Sequence, residues 1–358
     1  MPAFANALAA RAAASAVAVG LLAACGQSAT APSPSPASPS TAKSATALTP
    51  VVIGKALNTL TLTIANIAEA EGYFKDAGLA VKLITFNGSS QANAALIGGS
   101  TQFTMANVIP FELARQQGVP IEAVELIDRG LTQQLIVSKR WLSAHPVPPN
   151  ASVAARIAAL RGSTFAQIGP TDLAEFRLML AQAHLSPNAV QVVQLGSGPE
   201  AAAAMAHGRI DEFQQSPPTS LEVVARGDGT LFLNYPKAFP QWSQMTNDIV
   251  WTTTSYARSH PDVVARVVTA LARANHFVVT HPQQALALEK QWFPSVPTAV
   301  LEQSLQLIAF SSDGRQTAAG WQQASAFLHQ LGVLKANSPE PKEGVDWTNQ
   351  FDRYGSSP

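Results

Sequence analysis

Residues 64–86 read IANIAEAEGYFKDAGLAVKLITF, and this stretch decides the fold. Ile64, Ile67, Ala68 and Glu71 recur at helical spacing, so three apolar positions share one face. Gly72 stands where a helix C-terminal glycine belongs. A strand is predicted over Ala80–Phe86, with Val81 and Leu83 on one face and Ile84 and Phe86 on the other. Apolar side chains on both faces imply a sheet covered on both sides.

Working outward, the same rhythm repeats. Val51–Ala56 is a short apolar strand before the loop Leu57-Asn58-Thr59. Asn87-Gly88-Ser89-Ser90 is a turn, and either serine can cap the next helix, which stops at Gly98-Gly99. Phe103–Ala106 is a strand, Phe111–Gln117 a helix, and Ile121–Ile127 another strand. Strand and helix in alternation predict a parallel, doubly wound α/β lobe. Asp128-Arg129-Gly130 breaks the alternation, and Gln134–Ser138 opens a second set. That set has strands at Ser163–Ile168, Val190–Gln194 and Ile210–Gln214, and Thr171 is placed to cap one of its helices. Near Asn247 the chain crosses back through a strand, Ile249–Thr253. A long helix then begins at Ser259, with Pro261 and Asp262 approximating a capping box. The expected organisation is α/β, two doubly wound lobes joined by a two-strand hinge. Residues 50–130 and 249–335 form the first lobe and residues 131–248 the second. Residues 336–358 are a Pro-, Ser- and charge-rich tail on which Trp347 and Phe351 are candidates to dock.

The N-terminal end carries a separate message. Cys25 is the only cysteine and closes Leu22-Ala23-Ala24-Cys25 behind the apolar run 12–24. That run is shorter than the about 20 residues a spanning helix needs. A small-residue site behind a short apolar core has the form of an export signal. With cysteine at the cleavage point, the segment resembles a bacterial lipoprotein signal. The resemblance implies removal of residues 1–24, lipidation of Cys25, and a chain tethered outside the cytoplasm, periplasmic or on the cell surface. Residues 25–49 are Ser-, Ala-, Pro- and Thr-rich and read as a flexible tether. No further apolar stretch is read as long enough to span a membrane. Removing residues 1–24 takes 23 bases against 23 acids to 22 against 23. Near neutrality gives no support for nucleic-acid binding. A single cysteine excludes an internal disulfide and a cysteine-based metal site. Roughly 310 globular residues are enough to bury a core, and chains of that size usually divide into two lobes.

Four motifs, in order, resemble a known family. Ala68, Gly72, Tyr73, Phe74, Gly78, Leu79 and Val81 fit A-x-x-x-G-[YF]-F-x-x-x-G-L-x-V. Residues 95–103, ALIGGSTQF, fit A-L-x-x-G-x-x-D-F with Gln102 in place of Asp. Gly208-Arg209-Ile210-Asp211 fits G-x-[IV]-D, and residues 259–264, SHPDVV, fit x-H-P-[ED]-V-V. These patterns resemble the periplasmic solute-binding proteins of ABC importers, in the branch that binds nitrate, taurine, aliphatic sulfonates and pyrimidine precursors. The resemblance spans residues 50–335 and implies the type II periplasmic-binding-protein fold. It also implies a monomer that traps a small molecule and delivers it to a permease and ATPase complex, with no cofactor and no metal. The family often carries a Trp-Asp-Pro-like element where this chain has Ser216-Pro217-Pro218.

Ligands of open α/β sheets sit beyond the carboxyl ends of the strands, where helix N-termini present free N–H groups. That rule selects Asn58, Thr59, Ser89, Ser90 and Asn107 in the first lobe. In the second it selects Gly169, Pro170, Thr171, Asp172, Gln215 and Ser216. Capping is the competing role for Ser89, Ser90 and Thr171, a turn for Asn58 and Asn107, and a helix start for Asp172. Trp242 and Trp251 are candidates either to stack on a flat ligand or to fill the core. No cation lies in these loops, and Arg129 at the hinge is the one nearby, so a neutral or zwitterionic small organic ligand is expected ahead of a small anion; a sulfonate or nitrate, held by helix N-termini and hydroxyls, stays open. The rival reading is an enzyme of the related pyrimidine-synthase type, whose cysteine-rich motif has no counterpart here. A third reading is a sensory lipoprotein without a transporter. No catalytic residues are assigned: the seven histidines are scattered and no Gly-x-Ser-x-Gly elbow or phosphate loop occurs.

Overall fold

The computed structural model describes residues 47–354 apart from Pro170. The expected signal run, Cys25 and all but the end of the expected tether therefore lie outside the described residues, as does the site candidate Pro170.

Twelve strands are described: β1 (Thr49–Lys55), β2 (Leu79–Thr85), β3 (Phe103–Asn107), β4 (Ile121–Leu126), β5 (Asp128–Arg129), β6 (Gln134–Ser138), β7 (Thr164–Gln167), β8 (Gln191–Gln194), β9 (Glu212–Gln215), β10 (Gly229–Asn234), β11 (Asp248–Thr253) and β12 (Ala309–Phe310). They build two five-stranded sheets, in the orders β2-β1-β3-β11-β4 and β10-β6-β9-β7-β8, and a small pair, β12-β5. Neither large sheet is purely parallel, which corrects the expectation. β11 runs antiparallel to both β3 and β4. β6 runs antiparallel to both β9 and β10. In each sheet the reversed strand is the first large-sheet strand laid down after the chain crosses over, so it enters from the end at which the parallel strands finish.

Apolar patterning explains the burial. Ile64, Ala65, Ile67 and Ala68 of the helix Ile64–Ala70 are fully buried beneath the helix Pro261–Thr280. Burying each isoleucine is worth about 1.5–3 kcal/mol. β4 is buried at every position, and β3 at all but Asn107. β2, at the sheet edge, keeps Val81, Leu83 and Ile84 only half-buried. Gln102, in the position the family pattern gives to Asp, accepts the Val52 N–H at 2.8 Å and ties the start of β3 to β1.

The helix Pro261–Thr280 is 20 residues long with mean hydropathy 1.2, enough to span a membrane by length and composition. That corrects the expectation that no such stretch exists. Its apolar window is 67% buried, however, against the helix Ile64–Ala70 and β4, as in a soluble core. The capping box expected at its start does not form: Ser259 Oγ turns back to the Ser255 carbonyl at 2.9 Å, and Asp262 pairs with Arg266 at 3.2 Å.

The two crossings lie side by side as a short ladder. Ile127 N–H donates to the Asp248 carbonyl (2.8 Å), Asn247 N–H to Asp128 (3.3 Å) and Gly130 N–H to Met245 (2.8 Å). Gly130 has φ +76°, and a Cβ there would lie 2.9 Å from the Ser243 carbonyl oxygen, so the position requires glycine. β12 adds a third rail along β5. The C-terminal segment docks as expected of Trp347 and Phe351, which are 2% and 6% exposed. Its backbone brackets the β4 edge: Ala123 N–H donates to Asp346 and Thr348 N–H to Ala123, both at 2.9 Å. An edge strand left with open N–H and C=O groups is a liability, and this segment covers it.

Candidate functional site

A cavity of about 210 Å³ opens where the two large sheets face each other across the crossings. From the first sheet it receives Ala56 and Leu57 beyond β1, Ala106 and Asn107 at the end of β3, and Ser89 at the start of the helix Ser89–Ile97. From the second it receives Gln215, Ser216 and Pro217 at and beyond the end of β9. The crossings contribute Thr132, Gln133, Asn247 and Asp248.

Five residues selected from the sequence therefore come together here: Thr59, Ser89, Asn107, Gln215 and Ser216. Ser216 Oγ lies 2.7 Å from Thr132 Oγ1, joining the loop after β9 to a crossing. Thr59 Oγ1 lies 3.2 Å from Thr61 Oγ1, which also lines the cavity. Asn107 caps its own helix, its side-chain oxygen accepting the Ile109 N–H at 3.1 Å, while the residue still faces the cavity. Ser89 makes no capping bond: the N-cap is Gly88, and its helix begins without a side-chain cap. That corrects the expected capping role of Ser89 and Ser90.

The other selected residues lie elsewhere. Asn58 and Ser90 are exposed and outside the cavity lining. Gly169, Thr171 and Asp172 follow β7, which stands beyond β9 in the sheet order and away from the cavity. Thr171 does not cap its helix. Asp172 folds back instead, its Oδ2 accepting N–H bonds from Ile168 (2.9 Å) and Gly169 (2.6 Å). Burial raises its carboxyl above the ordinary range while those two backbone bonds oppose the rise.

The tryptophans settle as core. Trp251 is fully buried against Phe111, with ring centroids 5.7 Å apart. Trp242 packs between Phe239 and Phe327. Arg129 points away from the cavity and donates to the Arg315 carbonyl at 3.1 Å.

Sequence reasoning missed Thr61, Thr132, Gln133, Asn247 and Asp248. The last is the most consequential. Asp248 opens β11 in register with Asn107, so it stands beside the end of β3. Its backbone N–H donates to Asp128 Oδ1 at 2.8 Å, and Asn247 Nδ2 donates to both Asp128 oxygens at 3.2 and 3.1 Å. Burial pushes the Asp248 carboxyl up to about 6, opposed by a hydrogen bond with Thr61. Asp128 is held well above the usual carboxylate range, first by burial and then by the charge of Asp248.

A model of the family described as NMT1/THI5 like matches residues 61–285. No curated protein matches the chain. Among solved structures, the periplasmic aliphatic sulphonate binding protein SsuA of Escherichia coli is similar, with 17% identity, TM-score 0.63, and 80% of this chain and 94% of that one covered. The periplasmic nitrate-binding protein NrtA of Synechocystis PCC 6803 has 13% identity and TM-score 0.64, covering 81% of this chain and 83% of that one. The ligand binding component of an ABC-type import system from Staphylococcus aureus has 17% identity and TM-score 0.62, covering 82% and 94%. At these identities the likeness shows a shared fold, that of the periplasmic binding proteins.

Proposed function

Because the chain belongs to the NMT1/THI5-like family, we propose that it is an exported solute-binding protein, lipid-anchored through Cys25, that captures a small organic molecule and delivers it to an ABC-type permease. Residues 50–130 with 249–335, and residues 131–248, act as two lobes. They turn about the paired crossings 127–130 and 245–248, and ligand contacts with both lobes favour the closed state, as only a differential interaction can. The observation that carries this reading is the composition of the cavity. Polar residues from strand ends of both sheets meet there, at the place where open α/β sheets bind ligands. Gln215 and Ser216 supply the second sheet's share, Thr59, Ser89 and Asn107 the first's, and the protein performs no bond-breaking step.

The test is mass spectrometry of small molecules that co-purify with the full chain, followed by titration of the identified compound. Gln215→Ala with Ser216→Ala should weaken binding about tenfold or more while circular dichroism stays unchanged, since each lost hydrogen bond is worth about 1 kcal/mol. Turnover of the bound compound, or unaltered affinity in the double variant, would refute the assignment.

A further inference from the structure

Asp248 is the only ionisable residue among the described residues that line the cavity. The rest of the lining is hydroxyls, carboxamides and aliphatic groups. The nearest candidate cations have other partners. Lys55, at the end of β1, is 2% exposed, and its Nζ donates to Asn66 Oδ1 at 2.6 Å. Arg129 is turned onto the Arg315 carbonyl. Behind Asp248 stands a second carboxyl group, Asp128, with no exposure to solvent. Asp128 is held well above the usual carboxylate range and keeps its proton, so the charge a ligand meets here is that of Asp248, in a low local dielectric that magnifies it. An oxyanion would meet repulsion there and no cationic side chain, while a protonated nitrogen would be attracted and receive a charge-assisted hydrogen bond.

We propose that the ligand is a small organic molecule carrying a protonated nitrogen, which Asp248 receives at the mouth of the crossings. This rests on the reading of the chain as a solute-binding protein and names the chemistry of its solute. The uncharged lining fits the remainder of such a molecule: Gln215, Gln133 and Ser216 offer neutral hydrogen bonds, and Leu57, Leu60 and Ile308 an aliphatic wall. The groups that bear on Asp248 are the hydroxyl of Thr61 and Asp128 on the other crossing, with Arg129 acting on Asp128. A bound cation requires Asp248 ionised, so its affinity falls as pH drops through about 6.

The experiment uses the full chain and matched probes: butylamine, butan-1-ol and butane-1-sulfonate, within wider sets of amines, amidines and nitrogen heterocycles, of neutral alcohols and amides, and of sulfonates and carboxylates. Thermal shift finds binders and calorimetry measures them. Binders are expected among the nitrogen cations. Their affinity should fall at least about tenfold in Asp248→Asn, and in the unaltered protein between pH 7 and pH 5. The pH arm needs no variant, so it stands even where Asp248→Asn fails to fold. Binders confined to the sulfonates and carboxylates, or to the neutral set, would overturn this inference and leave the solute-binding reading intact, as would amine affinity indifferent both to Asp248→Asn and to pH. Absence of any binder in all three sets would overturn the solute-binding reading and this inference with it.

Discussion

Glu212 makes an unusual demand on the fold. It opens β9, fully buried, with Ser163 Oγ donating to its Oε1 at 2.6 Å and no partner for Oε2 among the described residues. Burial pushes its carboxyl up to about 8, the Ser163 bond opposes this, and the neighbouring Asp211 adds to it. A carboxyl raised in the folded state is the reverse of the common case. The folded chain holds the proton over a range in which the unfolded chain releases it. The stabilising contribution is therefore complete below about pH 4.5 and is lost as pH rises through 8. With an unfolded value of 4.5 and a folded value of about 8, linkage removes about 4 kcal/mol between pH 5 and pH 9. Glu212→Gln keeps the shape and the acceptor for Ser163 and cannot ionise. Urea unfolding followed by circular dichroism at pH 5, 7 and 9 should show the variant's stability falling less steeply than the parent's, by about that amount. Parallel pH profiles for the two proteins would refute the argument and place Glu212 in a wetter site than the structure shows.

Two further predictions follow from packing. Gly130→Ala forces a side chain into the left-handed region and against the Ser243 carbonyl, so it should cost at least about 1–2 kcal/mol; an unchanged midpoint of unfolding would count against the crossing geometry. Trp347→Ala should cost about 3–5 kcal/mol, because the indole is 2% exposed and stacks near Trp321 with ring centroids 6.3 Å apart. A loss under about 1 kcal/mol in urea unfolding would mean that the C-terminal segment is not held on β4 in solution.

The sequence revealed the strands by their apolar runs, and most observed boundaries fall within a residue or two of the expected ones. β10 escaped because its residues carry turn formers at both ends, and the helix Thr219–Arg226 escaped because Pro217 and Pro218 masked its start. Strand order was not legible, since it depends on which apolar faces meet in space rather than on local pattern. The loop after β7 obeys the strand-end rule, but its strand stands outside β9 in the sheet order and the loop is not part of the cavity lining. Strand direction hides further residues. Reading only the residues after each strand finds Asn107 and Gln215 but overlooks what lies beside them. Because β11 and β6 run backwards, Asp248 pairs with Asn107 and Gln134 with Gln215, so the beginnings of the reversed strands flank the cavity. Asn247 was recognised as the point of return, and its neighbour would have been found by allowing for a reversed strand there.

Asp248 occupies a position with two obligations. Its carbonyl and N–H are rungs of the ladder joining the crossings, through Ile127 and Asp128, while its residue forms part of the cavity wall. A replacement there keeps those backbone rungs, so a change of side chain alters the cavity wall and leaves the ladder in place. On the proposed reading, the wall that meets the solute can therefore change by substitution while the joint behind it stays the same, so selectivity and closure are separable at this residue.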